Sequence, residues 1–206
     1  MENKSYNLVK ITGIFSLTHF AVDFTCILML TALMIPGLES HGQWLVCVTL
    51  YNLFAFAFQM PIGAAADAVG RGPRLSALGC LLVGLAYGMM LLPWAFGINV
   101  AAAVTAGLGN ACFHVGGGLE ILNRSKGRAA LPGVFVSTGA MGVFLAGWVF
   151  KADFAGRSLL IICPLLILAA SFLLLMGAEK ICKPEPESCT DAEKVNAAAA
   201  RLLLFI

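Results

Sequence analysis

The chain has 206 residues, of which 60% are hydrophobic and only 12% are charged, and its mean hydropathy is +0.90. Soluble domains carry roughly a quarter of their residues as charged side chains, so this composition excludes an ordinary soluble protein and predicts an integral membrane protein. The 13 basic and 11 acidic residues give a formal net charge of +2, a balance that excludes a nucleic acid as the expected partner.

Six apolar segments follow one another along the chain, at about residues 9–36, 44–66, 75–94, 98–121, 131–150 and 158–177. Each is close to the roughly 20 residues that a helix needs to cross the hydrocarbon core. The first segment is too long for the core of a signal peptide and is expected to stay in the mature protein. The sequence therefore predicts an all-α polytopic membrane protein, a bundle of six transmembrane helices.

The basic residues predict the orientation, because Lys and Arg are retained on the cytoplasmic side of a membrane. With the N-terminus inside, 11 of the 13 basic residues lie in cytoplasmic segments, and only Lys151 and Arg157 lie outside. We therefore expect a multi-pass protein of the cell inner (plasma) membrane with both termini in the cytoplasm. The seven cysteines form no Cys-x-x-Cys pair, so neither a disulfide framework nor a zinc site is expected from them.

The last part of the chain changes in character. Residues 179–200 are charged, include two prolines and lack apolar periodicity, which predicts a mobile cytoplasmic linker. Residues 201–206 ("RLLLFI") have the composition of the start of a seventh hydrophobic helix. The sequence thus predicts a six-helix bundle over residues 1–178, followed by a linker and the first residues of a seventh helix. This order predicts that the chain is half of a longer protein.

Three ionisable side chains lie well inside the apolar segments, away from the segment ends. His19 and Asp23 are four residues apart in "SLTHFAVDF", and His114 ends "GLGNACFH", in which Asn110 lies one turn earlier. A central Asp costs roughly 2.5–3.5 kcal/mol on insertion, so the carboxylate should face the bundle interior or a wet cavity. His19 and His114 lie about 10 and 8 residues from the cytoplasmic ends of their helices, so both can lie at one depth.

Two interpretations of these polar residues stay open. Ionisable groups inside a membrane usually line a substrate or ion pathway, which makes His19, Asp23, His114 and Asn110 candidate pathway residues. Alternatively, each histidine forms an interhelical hydrogen bond that only holds the bundle together. The glycines near His114 and in the fifth segment are expected to allow close helix packing.

The loop between the second and third segments has the sequence "GAAADAVGRGPR", residues 63–74. From the residues alone, Asp67 is close enough to Arg71 or Arg74 for an ion pair. The spacing G-x-x-x-D-x-x-G-R closely resembles the loop motif of the major facilitator superfamily, and differs from it at Ala68 and Gly72. The residues of this gate motif are Gly63, Asp67, Gly70, Arg71 and Arg74.

With that family in view, "SLTHFAVDF" and "GLGNACFH" resemble the first and fourth helices of its fosmidomycin-resistance-type efflux members. The resemblance covers the N-terminal half of such a transporter and implies a 3+3 inverted repeat, with helices 1 and 4 lining a central cavity between two bundles. It implies that Asp23 carries protons with His19 as its partner. Asp67, Arg71 and Arg74 would then hold the cytoplasmic gate by pairing with the other bundle.

The expected function is secondary transport of a small solute by alternating access, as proton-coupled efflux. The expected partners are the lipid bilayer, the solute, protons, and either a C-terminal half or a second copy of the chain. The alternative is a half that does not transport without a partner bundle. No enzyme activity, cofactor or metal is expected, because no His-x-x-x-His or Glu-rich pair completes a coordination shell with His19, Asp23 and His114.

Overall fold

The computed structural model describes residues 2–69, 72–93, 95–151 and 157–181. Over these residues the chain is helical and contains no strand. Four helical stretches are long and apolar enough to cross a membrane, namely Asn7–Leu33, His41–Asp67, Phe96–Ser125 and Ala130–Lys151. The all-α prediction is confirmed, and these four stretches are those of a membrane-embedded protein.

The first span consists of α1, Glu2–Leu28, and one π-helical turn, Met29–Leu33. A short 3₁₀ turn, Ile35–Gly37, follows and ends the helix, because Pro36 has no N–H to donate to the helical ladder. Trp44 at the start of the next helix donates from Nε1 to the carbonyl oxygen of Leu30 at 2.9 Å. This bond joins the end of the first span to the start of the second.

The second span combines α2, His41–Asn52, a π-helical turn, Leu53–Ala57, and α3, Gln59–Val69. Ser40 caps α2 by accepting a hydrogen bond from the backbone N–H of Gln43. The side-chain amides of Asn52 and Gln59 each donate to a backbone carbonyl one turn earlier, at 2.8 Å. Polar side chains in this apolar span therefore satisfy their donors locally, where no water is present to do so.

Helix α4, Gly72–Met89, and helix α5, Phe96–Ser125, form the main helix pair of the bundle. Their backbones approach closely because glycines face each other: a Cβ on Gly79 would lie 2.6 Å from the Phe113 nitrogen, and one on Gly109 would lie 2.8 Å from the Gly79 oxygen. Gly116 lies against Gly72 in the same way. The expectation of close packing is confirmed for Gly109 and Gly116, whereas it is wrong for Gly118, Gly133 and Gly147, where a Cβ would meet nothing within 4 Å.

Helix α5 ends in a left-handed turn, in which Lys126 has a φ of 49° and Gly127 a φ of 78°. Such a turn is the usual C-terminal cap of a helix, and glycine adopts it without strain. Helix α6, Ala130–Lys151, follows and packs along α1. Helix α7, Arg157–Ile181, contains Pro164 and packs against α4 and α1.

Several predicted boundaries differ from the structure. Helix α4 ends at Met89 rather than near 94, where Pro93 and the turn before it stop the helical ladder. Helix α7 continues to Ile181, past the predicted bundle end at 178. Residues 182–206, which include most of the expected linker and the expected start of a seventh helix, lie outside the described residues.

The arrangement places α1 and α5 at the centre. In their most apolar stretches 61% and 56% of the residues are buried within the protein, compared with 17% in the second span and 22% in α6. A helix that is apolar on all sides yet little buried has its outer surface available to lipid. Of the four spans compared, the two that carry the intramembrane polar residues are therefore the two that other helices surround most completely.

Candidate polar site

Helix α1 positions His19 and Asp23 one turn apart, and α5 positions Asn110 and His114 one turn apart. The four side chains meet: Asn110 Nδ2 donates to Asp23 Oδ1 at 3.0 Å, and His114 Nε2 lies 3.1 Å from the same oxygen. His19 Nε2 lies 3.2 Å from Asp23 Oδ2 and 3.2 Å from His114 Nε2. We call these four residues the polar cluster.

The equal depth of the two histidines along their helices is what allows this contact. All four residues that the sequence named as pathway candidates are members of the polar cluster. The contacts between α1 and α5 could not be predicted from sequence spacing, because they join residues that are 87 to 95 positions apart.

The ring of His19 is also contacted by Phe135 on α6. Its Nδ1 lies 2.7 Å from the backbone oxygen of Phe135 on α6, and because a carbonyl only accepts hydrogen bonds, Nδ1 is the atom that carries the proton. The Phe135 ring also stacks on the imidazole with centroids 4.3 Å apart. The orientation is therefore fixed with Nε2 pointing into the polar cluster.

Gly139 on α6 covers the polar cluster. A Cβ at this position would collide with His19 Nε2 and with Asp23 Oδ2. The α6 backbone therefore reaches the polar cluster only because residue 139 has no side chain. The sequence indicated close packing for this glycine, but gave no sign that the packing partners are ionisable groups.

The ionisable side chains of the polar cluster differ in their exposure. The His19 side chain is 4% exposed, Asp23 13% and His114 23%. A buried carboxylate is costly unless it is paired and hydrogen-bonded, and Asp23 is both. The polar cluster is thus closed on the His19 side by α6 and open on the His114 side.

The gate motif is described only in part, because Gly70 and Arg71 lie outside the described residues. Asp67 near the end of α3 and Arg74 in the first turn of α4 are both exposed. A Cβ on Gly63 would have no neighbour within 4 Å, so this glycine does not serve helix packing here. For Gly63 and Asp67, which are described, the structure shows no contact with the polar cluster.

One charged pair beside the gate motif was missed in the sequence. Glu120 Oε1 accepts hydrogen bonds from Arg124 at 2.7 Å from Nε and 2.6 Å from Nη2, and a Cβ on Gly72 would lie 3.1 Å from Glu120 Oε2. The i, i+4 spacing of an acid and a base was the available indication. This pair therefore lies against the first turn of α4, at the end of the bundle that holds the gate motif.

A separate cavity of about 470 Å³ lies between α3, α4 and α5. Its walls come from apolar residues such as Ile62, Leu75 and Leu78, with Arg74 at one side. No member of the polar cluster lines it. Because it offers few polar groups to orient a ligand, the polar cluster is the stronger candidate for a functional site.

The polar cluster has the donor set of a cation site. His19, Asp23 and His114 each offer one ligand atom, and these atoms lie within 4.8 Å of one another. Two imidazole nitrogens and a carboxylate oxygen are ligands that transition metals accept, and the same atoms can exchange protons.

In comparisons with protein-family models, curated proteins and solved structures, nothing matches this chain.

Proposed function

We propose that the chain is a six-helix transmembrane bundle, the N-terminal half of a major facilitator-type secondary transporter, that moves a small solute by alternating access through proton-coupled efflux. The observation that carries the proposal is the polar cluster, in which the two most buried of the four long apolar spans bring His19, Asp23, Asn110 and His114 together. Ionisable groups are expensive inside a membrane and belong to substrate or ion pathways by default.

The hydrogen bonding of the polar cluster favours a pathway over simple packing. With its proton on Nδ1, a neutral His19 presents a lone pair at Nε2 to Asp23 Oδ2, which is also an acceptor when ionised. A cation between them removes this mismatch. The single N–H that His114 can carry at Nε2 faces both His19 Nε2 and Asp23 Oδ1 and cannot serve both fully. A network that serves only to hold helices together would pair each acceptor with a donor, so the cluster is suited to taking up and releasing a positive charge.

The helix arrangement supports a six-helix repeat. Besides the four spans above, α4 with 18 residues and α7 with its apolar part Pro164–Ala178 supply a third and a sixth apolar helix. In a 3+3 inverted repeat the first and fourth spans are equivalents. These are α1 and α5, and each contributes one i, i+4 pair of polar residues to the cluster.

A second candidate is a half that acts only with a partner bundle, either a C-terminal half or another copy of this chain. It is favoured by the low burial of the second span and α6, at 17% and 22%, and by the open side of the polar cluster at His114. Transporter sites near the bilayer midplane form where two repeats or bundles face each other, and a second bundle over His114 would complete such a site.

The proposed topology, an inner-membrane protein with both termini cytoplasmic, makes a labelling prediction. A membrane-impermeant maleimide should modify Cys182 and Cys189 in inverted vesicles and not in intact cells, because the positive-inside pattern places the segment after α7 in the cytoplasm. Cys26 and Cys80, which are 0% and 2% exposed, should resist labelling in both. Modification of the two tail thiols in intact cells would reverse the orientation.

Proton-coupled solute movement is the direct test of the function. The full chain in liposomes with an acidic lumen and a trapped pH-sensitive dye should alkalinise the lumen when a transported solute is added outside, because inward solute movement releases protons. A chemically diverse solute panel and protein-free liposomes complete the experiment. If no solute moves protons, this chain alone is not a transporter and the partner-dependent candidate stands; robust flux from a strictly monomeric chain would contradict that candidate.

A further inference from the structure

We infer that the polar cluster is a binding site for one divalent first-row transition metal ion of the Zn²⁺ type. The ligands are His19 Nε2, His114 Nε2 and an oxygen of Asp23, and the fourth coordination position is open. Spacing along the sequence gave no such site, because no His-x-x-x-His or comparable motif is present. The structure gathers the three ligands from two helices, with one ligand atom of each within 4.8 Å of the others.

The distances within the polar cluster fit a tetrahedral ion. Three contacts between its lone-pair atoms measure 3.2 Å for His19 Nε2 to Asp23 Oδ2, 3.1 Å for His114 Nε2 to Asp23 Oδ1, and 3.2 Å between the two Nε2 atoms. Zinc–ligand bonds of 2.0–2.1 Å in a tetrahedron place neighbouring ligand atoms about 3.3 Å apart. The two His–Asp contacts use different oxygens of Asp23, and one ligand atom from each residue gives a set whose members lie within 4.8 Å of one another. An ion therefore fits once the carboxylate turns one oxygen toward both histidines.

The surroundings of the ligands have the features of a metal site. A metal-bound histidine almost always donates its other ring N–H to a carbonyl or carboxylate, which fixes the coordinating nitrogen. His19 does so to the Phe135 carbonyl, which leaves Nε2 free to coordinate. Asn110 orients the Asp23 carboxylate through its own N–H donor, as outer-shell partners of ligating carboxylates do.

The polar cluster is accessible on one side. The α6 backbone at Gly139 closes the cluster beside His19 Nε2 and Asp23 Oδ2, whereas the 23% exposed His114 leaves the other side open. Two imidazoles and one carboxylate suit Zn²⁺, Co²⁺, Ni²⁺ or Cu²⁺ better than Mg²⁺ or Ca²⁺, which prefer all-oxygen shells. Three protein ligands with an open fourth position are typical of sites that exchange water or substrate.

Binding of the ion follows from the geometry alone, whereas its role as the transported cargo or as an inhibitor rests on the proposed transport function. The two are separable by experiment. A chain that binds the metal and moves no solute would refute the transport proposal only. A chain that moves another solute with protons and binds no metal would refute this inference only.

The test is a titration of the purified full chain, prepared with a tag that contains no histidine, with Co²⁺ and then Zn²⁺. The background carries Cys182→Ser and Cys189→Ser, so that tail thiols cannot bind metal. We expect saturable binding of a single Co²⁺ per chain, with the visible absorption of a four-coordinate ion, and its displacement by Zn²⁺. X-ray absorption at the zinc edge should show a shell of nitrogen and oxygen with imidazole scattering.

Matched variants decide whether the polar cluster binds the ion. His114→Gln should weaken binding by more than about tenfold, whereas His41→Gln, which changes the third histidine of the chain at an exposed position on α2, should leave it unchanged. Gly139→Ala keeps every ligand but fills the space beside them, and should also weaken binding. Size-exclusion profiles check the fold of each variant. The inference would be overturned if binding survives in both cluster variants or is lost in His41→Gln. It would also be overturned if the bound metal has sulfur ligands, or if the parent chain shows no saturable binding.

Discussion

Asp23→Asn is expected to reduce proton-coupled transport by the complete chain to the level of protein-free liposomes, while membrane insertion and helical content stay unchanged. The amide keeps the shape of the side chain and the polar cluster stays hydrogen-bonded. In the parent chain Asn110 Nδ2 lies 3.0 Å from Asp23 Oδ1, and His19 Nε2 lies 3.2 Å from Asp23 Oδ2. In the variant the amide oxygen can still accept from Asn110 Nδ2, and the amide NH₂ group can donate to His19 Nε2. What is lost is the negative charge that binds a cation.

The measurement is solute-driven alkalinisation in liposomes, with Glu39→Gln as the matched control. Glu39 is an exposed carboxylate in the turn between α1 and α2, so its neutralisation should leave flux at the parental rate. If Asp23→Asn transports as fast as the parent with the same pH dependence, the polar cluster is a packing element of the bundle. In that case the interhelical hydrogen-bond interpretation would replace the pathway interpretation.

Gly79→Val is expected to destabilise the bundle by about 3 kcal/mol or more, at the upper end of the cost of overpacking. A Cβ at this position would lie 2.5 Å from the Gly109 oxygen and 2.6 Å from the Phe113 nitrogen. Both are backbone atoms of α5 and cannot turn aside as a flexible side chain would. The two helices must separate, and the shift would reach Asn110 and His114 on the same helix.

Thermal unfolding of the detergent-solubilised chain measures this effect. By the scaling for chains of this size, the midpoint should fall by roughly 6–12 °C. Gly84→Val on the same helix is the control, because a Cβ there meets nothing within 4 Å and the change in helix propensity is the same. Equal midpoints for the two variants would show that the close approach of α4 and α5 contributes no stability.

The class of the protein and its polar residues were predictable because they depend on local composition and helical period. Apolar segments long enough to span a bilayer form helices, since no other structure except a closed barrel satisfies the backbone in lipid. The i, i+4 spacing of His19 and Asp23 placed them on one face, and counting residues to the helix ends placed His114 at a similar depth. The glycines of α5 predicted close packing for the same local reason.

Other features depended on which helices are neighbours, and a sequence does not state that. The Phe135 carbonyl fixes His19 across 116 residues, and any residue type would have supplied that oxygen, so no side-chain pattern marks it. In the sequence Gly139 is indistinguishable from other glycines of its helix, and only the structure shows that α6 lies over the polar cluster at this position. The three-ligand arrangement arises only because α1 and α5 pack side by side in one register. Depth along each helix was predictable from the sequence, whereas the lateral packing that brings the three ligand atoms within 4.8 Å of one another is a property of the folded bundle, in which glycines allow the close approach of α4 to α5 and of α6 to α1.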